Sequence, residues 1–201
     1  DFIEFFKFRN RDNFQIIYNG TNTFNDNNLS TTNNFSREVI NFLLVGSFKP
    51  QKGYDIFLDS LEMIDHKIQI KSHFHVCGDG DGLNSFKQKI EALGLQNHIT
   101  FYGNVWPDPY YEEADIYILP SKFEGFSNSL IEALSFGLPS IVSDGPGANK
   151  EVIIENLNGI FFKNLDSKDL SKKIVFMHKN FKAFSPCLLY TSPSPRDGLL
   201  S

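Results

Sequence analysis

The sequence predicts an α/β fold: a doubly wound, Rossmann-like domain on a parallel six-stranded sheet. Three observations predict it. The texture changes at residue 39, where an Asn-, Thr- and Ser-rich stretch gives way to apolar runs. From there strand-like runs alternate with helix-patterned segments. Six such strands with helices between them imply a parallel sheet covered on both faces, wound by right-handed crossovers. The strands fall at 39–45, 73–77, 99–102, 115–119, 140–143 and 159–162. The helices fall near 52–64, 83–93, 109–113, 126–137, 147–155 and 167–179, the last opened by Ser167 as N-cap with Asp169 behind it.

The flanks read differently. Residues 14–18 form a short strand pattern closed by Asn19-Gly20, and 21–38 read as a linker. The chain begins within an apolar pattern, without an initiator Met, as if a helix had been cut. The tail 185–201, rich in Ser and Pro, has no useful periodicity and resembles translated sequencing-adapter read-through. It is expected to be disordered or foreign to the fold. The organisation expected is a remnant of a preceding domain and hinge over 1–38, a ligand-binding domain over 39–184, and this tail.

Composition narrows the function classes. The chain has 201 residues, 41% hydrophobic and 21% charged, with a formal net charge of -5. That suits a soluble core and argues against nucleic acid as a partner, which calls for clustered Lys and Arg. Two cysteines, Cys77 and Cys187, are too few for a disulfide framework or a cysteine zinc site, so no metal is expected. Cys77 closes an apolar run and reads as a buried thiol, a pattern that suits a cytoplasmic setting. No apolar run approaches the roughly 20 residues of a membrane span.

In a doubly wound sheet the ligand sits at the carboxyl ends of the strands. After the fourth strand comes Ser121-Lys-Phe-Glu124-Gly125-Phe126-Ser127-Asn128-Ser-Leu-Ile-Glu132, two glutamates separated by seven residues. Glu124 falls in the loop and Glu132 about two turns along the helix. Gly125 permits close approach of a ligand. Ser127 or Asn128 can cap the helix, whose N–H groups favour an anion such as a diphosphate. A carboxylate here can accept bonds from adjacent sugar hydroxyls. Taken alone, the segment is equally a capped amphipathic helix with a solvated Glu. After the first strand, Gly46-Ser47-Phe-Lys49-Pro-Gln-Lys52-Gly53 carries a Lys at the start of the next helix, suited to phosphate or else simply solvated. Gly78-Asp-Gly80 after the second strand and Asp144-Gly-Pro-Gly147 after the fifth offer backbone donors, or are plain turns.

Taken in order, these residues resemble the retaining GT-B glycosyltransferases of family 4. Glu124 to Glu132 is similar to the family's paired-glutamate element, and Val45-Gly46 through Lys52-Gly53 to its diphosphate loop. Phe101-Tyr-Gly103, Tyr110-Tyr111, Ala114-Asp115-Ile116, Gly137-Leu-Pro139 and Asn158-Gly159 fit as well, and Ile17-Tyr18-Asn19-Gly20 resembles the interdomain hinge. The resemblance covers about residues 14–180 and implies the C-terminal, donor-binding half of a GT-B fold. It implies ribose hydroxyls on Glu132, the transferred sugar at Glu124 near the backbone of Gly125 and Phe126, and the diphosphate on Lys52. It further implies a nucleotide-sugar donor, UDP-linked by expectation, and no metal or other cofactor. The acceptor, a glycan or lipid-linked, would belong to an N-terminal domain that can also touch a membrane. Where the family usually has Arg after the loop glycine, Ser47 stands here, with Lys49 as the nearest substitute. A non-catalytic nucleotide-sugar-binding module and a GT-B-like sugar-nucleotide epimerase are the other readings.

Overall fold

Ile116–Leu119 is a run of four apolar residues with every side chain buried, and Ser140–Ser143 is buried throughout as well. Only a strand covered on both faces has that pattern. The computed structural model describes residues 39–184, and these two are β4 and β5 of six strands: β1 Ile40–Val45, β2 Ser72–Cys77, β3 Ile99–Gly103, β4 Ile116–Leu119, β5 Ser140–Ser143 and β6 Gly159–Phe162. All neighbouring pairs run parallel, in the order β3-β2-β1-β4-β5-β6. The expected α/β class and strand count hold. The segments 1–38 and 185–201, with the expected strand 14–18, the linker, the hinge, the tail and Cys187, lie outside the described residues.

The helices are α1 Tyr54–Glu62, α2 His66–Gln69, α3 Leu83–Ala92, α4 Asp108–Glu113, α5 Asn128–Ser135, α6 Asn149–Val152 and α7 Ser167–Asn180. Alternation along the strands splits the core in two. Phe42, Leu44, Phe74, Val76, Ile116 and Ile118 face α1, α3 and α7. Leu43, Cys77, Tyr117, Leu119 and Val142 face α4, α5 and α6. Chain order runs outward from β1 in one direction and from β4 in the other. Right-handed crossovers therefore place the two helix sets on opposite faces, and β1 and β4 flank the switch point.

Several sequence expectations are corrected locally. The helix expected over 52–64 is a 3-10 turn at Pro50–Lys52, then Gly53, then α1. Lys52 thus closes a turn rather than opening the helix. Gly53 has φ 70, a left-handed geometry that ends the turn. Helix α5 is shorter than 126–137, and α6 is a single turn rather than 147–155. Asp166, not Ser167, is the N-cap of α7: its carboxylate accepts from the Asp169 N–H, and Ser167 is the first helical residue. Helix α2, capped by Asp65 onto the Lys67 N–H, was not expected; four residues give too little periodicity to read.

The face of β1–β3 on the α4 side carries a polar row. His75 Nδ1 is 2.8 Å from Tyr102 Oη and its Nε2 3.2 Å from Asn41 Oδ1. His73 Nε2 is 2.8 Å from Thr100 Oγ1. Burial, and next the neighbouring His73, lower the His75 pKa from 6.5 to about 4. Burial likewise lowers His73 and His178. Cys77 is a buried free thiol, pushed up to about 12 by burial. Among the described residues no helix is long and apolar enough to cross a membrane.

Two outcomes are expected. Phe57 is fully buried and meets Phe74 edge-on with ring centroids 5.3 Å apart. Phe57→Ala is expected to cost about 3–5 kcal/mol in chemical denaturation. The unfolded chain binds more protons at His75 between pH 6.5 and about 4, so stability falls as pH drops through that window. In His75→Asn that acid-side loss should shrink, the remainder coming from His73 and His178.

Candidate functional site

The carboxyl ends of β1, β2, β4 and β5 carry the loops singled out in the sequence. On the first, the 3-10 turn projects Lys52, while the Tyr54 hydroxyl donates to the Gly46 carbonyl at 2.8 Å and fastens the loop at its root. On the fourth, the Ser121–Gly125 segment is held from both sides by backbone. Lys122 N–H donates to Gln51 O at 2.8 Å, Glu124 N–H to Pro146 O at 3.2 Å, and Ala148 N–H to Gly125 O at 2.9 Å. Asn164 Nδ2 adds a bond to Lys122 O at 3.0 Å.

This bracing brings Lys52 and Glu124 together. Lys52 Nζ donates to Glu124 Oε1 at 2.6 Å, and the Ser121 hydroxyl donates to the same oxygen at 2.8 Å. The side chains are 20% and 11% exposed. The pair is thus half-withdrawn from water, where Coulomb attraction is stronger than at the surface. Lys52, Glu124 and Glu132 line one pocket of about 360 Å³ with Gly46, Ser47, Phe126, Ser127, Asn128 and others. A volume of this order suits a small polar ligand.

The first turn of α5 forms one wall. Ser127 occupies the N-cap position, as expected, but its hydroxyl does not cap the helix; it lies 3.2 Å from Ser129 Oγ. Glu132, one turn further, accepts at Oε2 from the Tyr111 hydroxyl at 3.0 Å. Gly125 has open space above its Cα.

Not every expected residue joins this pocket. Lys49 and Gly80 line a different groove of about 810 Å³ on the far side of the Ser47–Pro50 loop, with Phe48, Tyr54, Phe86 and Lys122. Only Ser47 borders both. Gly78 serves packing: a Cβ there would overlap the Gly46 carbonyl, so the β2 loop can lie against the β1 loop only with glycine. Tyr111, Tyr117, Ser121 and Ser129 support the site and were not singled out as site residues. Their signal in sequence is weak, since a buried tyrosine reads as core.

Fold and pocket together define a class: a doubly wound domain with a lysine, two carboxylates and a helix tip at its switch-point rim. Residues 26–182 match the family described as glycosyl transferases group 1, and the chain belongs to that family. It is 29% identical over 151 residues to mannosylfructose-phosphate synthase of Agrobacterium fabrum, covering 70% of this chain and 32% of that protein. It is 29% identical over 157 residues to an alpha-1,4-N-acetyl-D-galactosaminyltransferase of Campylobacter jejuni, named for a PP-undecaprenol-linked glycan, covering 77% of this chain and 43% of that one. The crystal structure of Anabaena HepE in complex with UDP-glucose shares the fold, with a TM-score of 0.65 at 22% identity, over 72% of this chain and 40% of that chain. The chain thus spans well under half the length of these relatives.

The β5 loop offers a direct check on the bracing. A Cβ on Gly147, whose φ is +132, would overlap the Glu124 carbonyl oxygen. Gly147→Ala is expected to destabilise the protein by more than about 1 kcal/mol in thermal or denaturant unfolding.

Proposed function

We propose that this chain supplies the nucleotide-sugar-binding half of a retaining family 4 glycosyltransferase with the GT-B architecture. The domain is residues 39–184, the C-terminal half of that fold. The donor is a UDP-sugar carrying a hexose or N-acetylhexosamine, and the acceptor a glycan, free or lipid-linked. The whole protein works in the cytoplasm, at the inner face of a membrane when the acceptor is lipid-linked. One observation carries the reading: Lys52, Glu124 and Glu132 converge on one pocket beside the first turn of α5.

The roles follow from charge and reach. Lys52 and the N–H groups at the helix tip supply positive potential where a diphosphate would sit. Glu132 is an acceptor placed for the vicinal ribose hydroxyls, and Glu124 an acceptor for the transferred sugar. In transfer the bond from the anomeric carbon to the diphosphate oxygen breaks, and its electron pair leaves with the diphosphate. An acceptor hydroxyl oxygen bonds to the same carbon, on the face the diphosphate left, and its proton passes to the departing diphosphate oxygen. Lys52 gains interaction energy as negative charge builds on the leaving group, which is differential stabilisation of the transition state. The reading needs no metal or other cofactor. Ser47, standing where the family usually places its Arg, lines the pocket and brings a hydroxyl to the diphosphate in place of a guanidinium, while Lys49 borders the other groove. Binding is proposed for this chain, transfer for the whole protein.

Lys52 is engaged by Glu124, so diphosphate binding must share or displace that contact. Calorimetric titration with UDP, GDP and ADP sugars tests the reading, with UDP sugars expected to give heat. Glu132→Ala is expected to weaken nucleotide binding about tenfold or more, and Lys52→Ala to weaken the diphosphate's share similarly. Unchanged affinity in both variants would reject the pocket.

A further inference from the structure

Glu132 is not held in place by its own helix. Its carboxylate oxygen Oε2 accepts from Tyr111, a buried residue of α4. The Tyr111 ring is 1% exposed. It stacks on Phe136 with centroids 5.2 Å apart and planes 19° apart, and leans on Tyr117 at 6.2 Å. A ring pinned this way has one place for its hydroxyl. That hydroxyl lies 3.0 Å from Glu132 Oε2 and 3.2 Å from the Ser129 carbonyl, both of them acceptors, so Tyr111 can only donate. Burial, with Tyr117 and Glu132 adding to it, pushes the phenol's pKa upward and keeps that proton in place.

A second tyrosine treats the helix tip alike. The Tyr117 hydroxyl, from β4, donates to Ser129 Oγ at 2.8 Å, and Ser129 Oγ lies 3.2 Å from Ser127 Oγ. The two aromatic residues therefore fix the first turn of α5 and the carboxylate one turn along it. A free glutamate side chain loses rotamer entropy when it binds; one already tied to a rigid donor loses less.

We infer that Tyr111 is a positioning residue for donor recognition, holding the Glu132 carboxylate in the orientation that meets a vicinal diol of the nucleotide's ribose. The inference rests on the reading above that Glu132 takes the ribose. The carboxylate keeps lone pairs for two diol hydroxyls while Tyr111 occupies one site on Oε2.

The test separates the two. The 201-residue chain is titrated by calorimetry with UDP, GDP and ADP, and the tightest is compared with its 2′,3′-dideoxy counterpart. Tyr111→Phe, which keeps the stacked ring, is expected to weaken the ribonucleotide about tenfold and leave the dideoxy form within about twofold. In a Glu132→Ala background the same change should add nothing, because the partner is already gone. Phe136→Leu, which loosens the ring but keeps its hydroxyl, should give a smaller loss of the same ribose-selective kind and serves if Tyr111→Phe does not fold. Equal weakening of both nucleotides, or no weakening while Glu132→Ala is ribose-selective, would overturn the role of Tyr111. Absence of ribose selectivity in Glu132→Ala, or no binding of any of the three diphosphates, would instead sink the underlying assignment of Glu132.

Discussion

Lys52 and Glu124 stand 72 residues apart in the chain and meet at 2.6 Å. Their contact depends on a topological constraint, the adjacency of β1 and β4 at the point where the winding of the sheet reverses. The loop leaving β1 and the loop leaving β4 emerge side by side on the same rim because parallel neighbours end on the same side. Nothing in either loop alone brings the amine to the carboxylate. A sheet with β1 and β4 separated by another strand would keep both motifs and lose the site.

The loops are then made rigid by ordinary means. Backbone bonds tie Lys122 to Gln51 and Glu124 to Pro146, so the glutamate loop is clamped between the loops after β1 and β5. Glycines do the close fitting: Gly78 under Gly46 and Gly147 under Glu124 leave no room for a Cβ. Among the described residues every buried side-chain nitrogen or oxygen has a hydrogen-bond partner. A pocket built this way is preorganised, and preorganised charges are what stabilise developing charge most effectively.

Much of the fold was legible because the central strands are apolar runs and the others keep at least one apolar face, and all six fall within one or two residues of expectation. The errors sit where packing overrides local pattern. The helix expected from residue 52 is interrupted at Gly53, and Asp166 takes the cap expected of Ser167, because either residue type can cap and only backbone geometry chooses. That three of the expected site residues would share one pocket was legible through position: Glu124 falls in the loop after β4, Glu132 in the helix that follows, and Lys52 in the loop after β1. Lys49 and Gly80 were expected beside them. They border the neighbouring groove instead, since a loop has two sides and its sequence does not say which one a residue faces.

By itself the sequence determined the class of the fold, the order of its elements and the residue types gathered at the strand ends. Hydrophobic periodicity and turn chemistry are local and can be read along the chain. The tertiary structure alone decided that Lys52 donates to Glu124, that buried Tyr111 donates to Glu132, and that the Ser127 hydroxyl meets Ser129 Oγ rather than a backbone N–H of its helix. Those partners are chosen by distances between segments remote in sequence, and such distances exist only once the sheet has closed around its switch point.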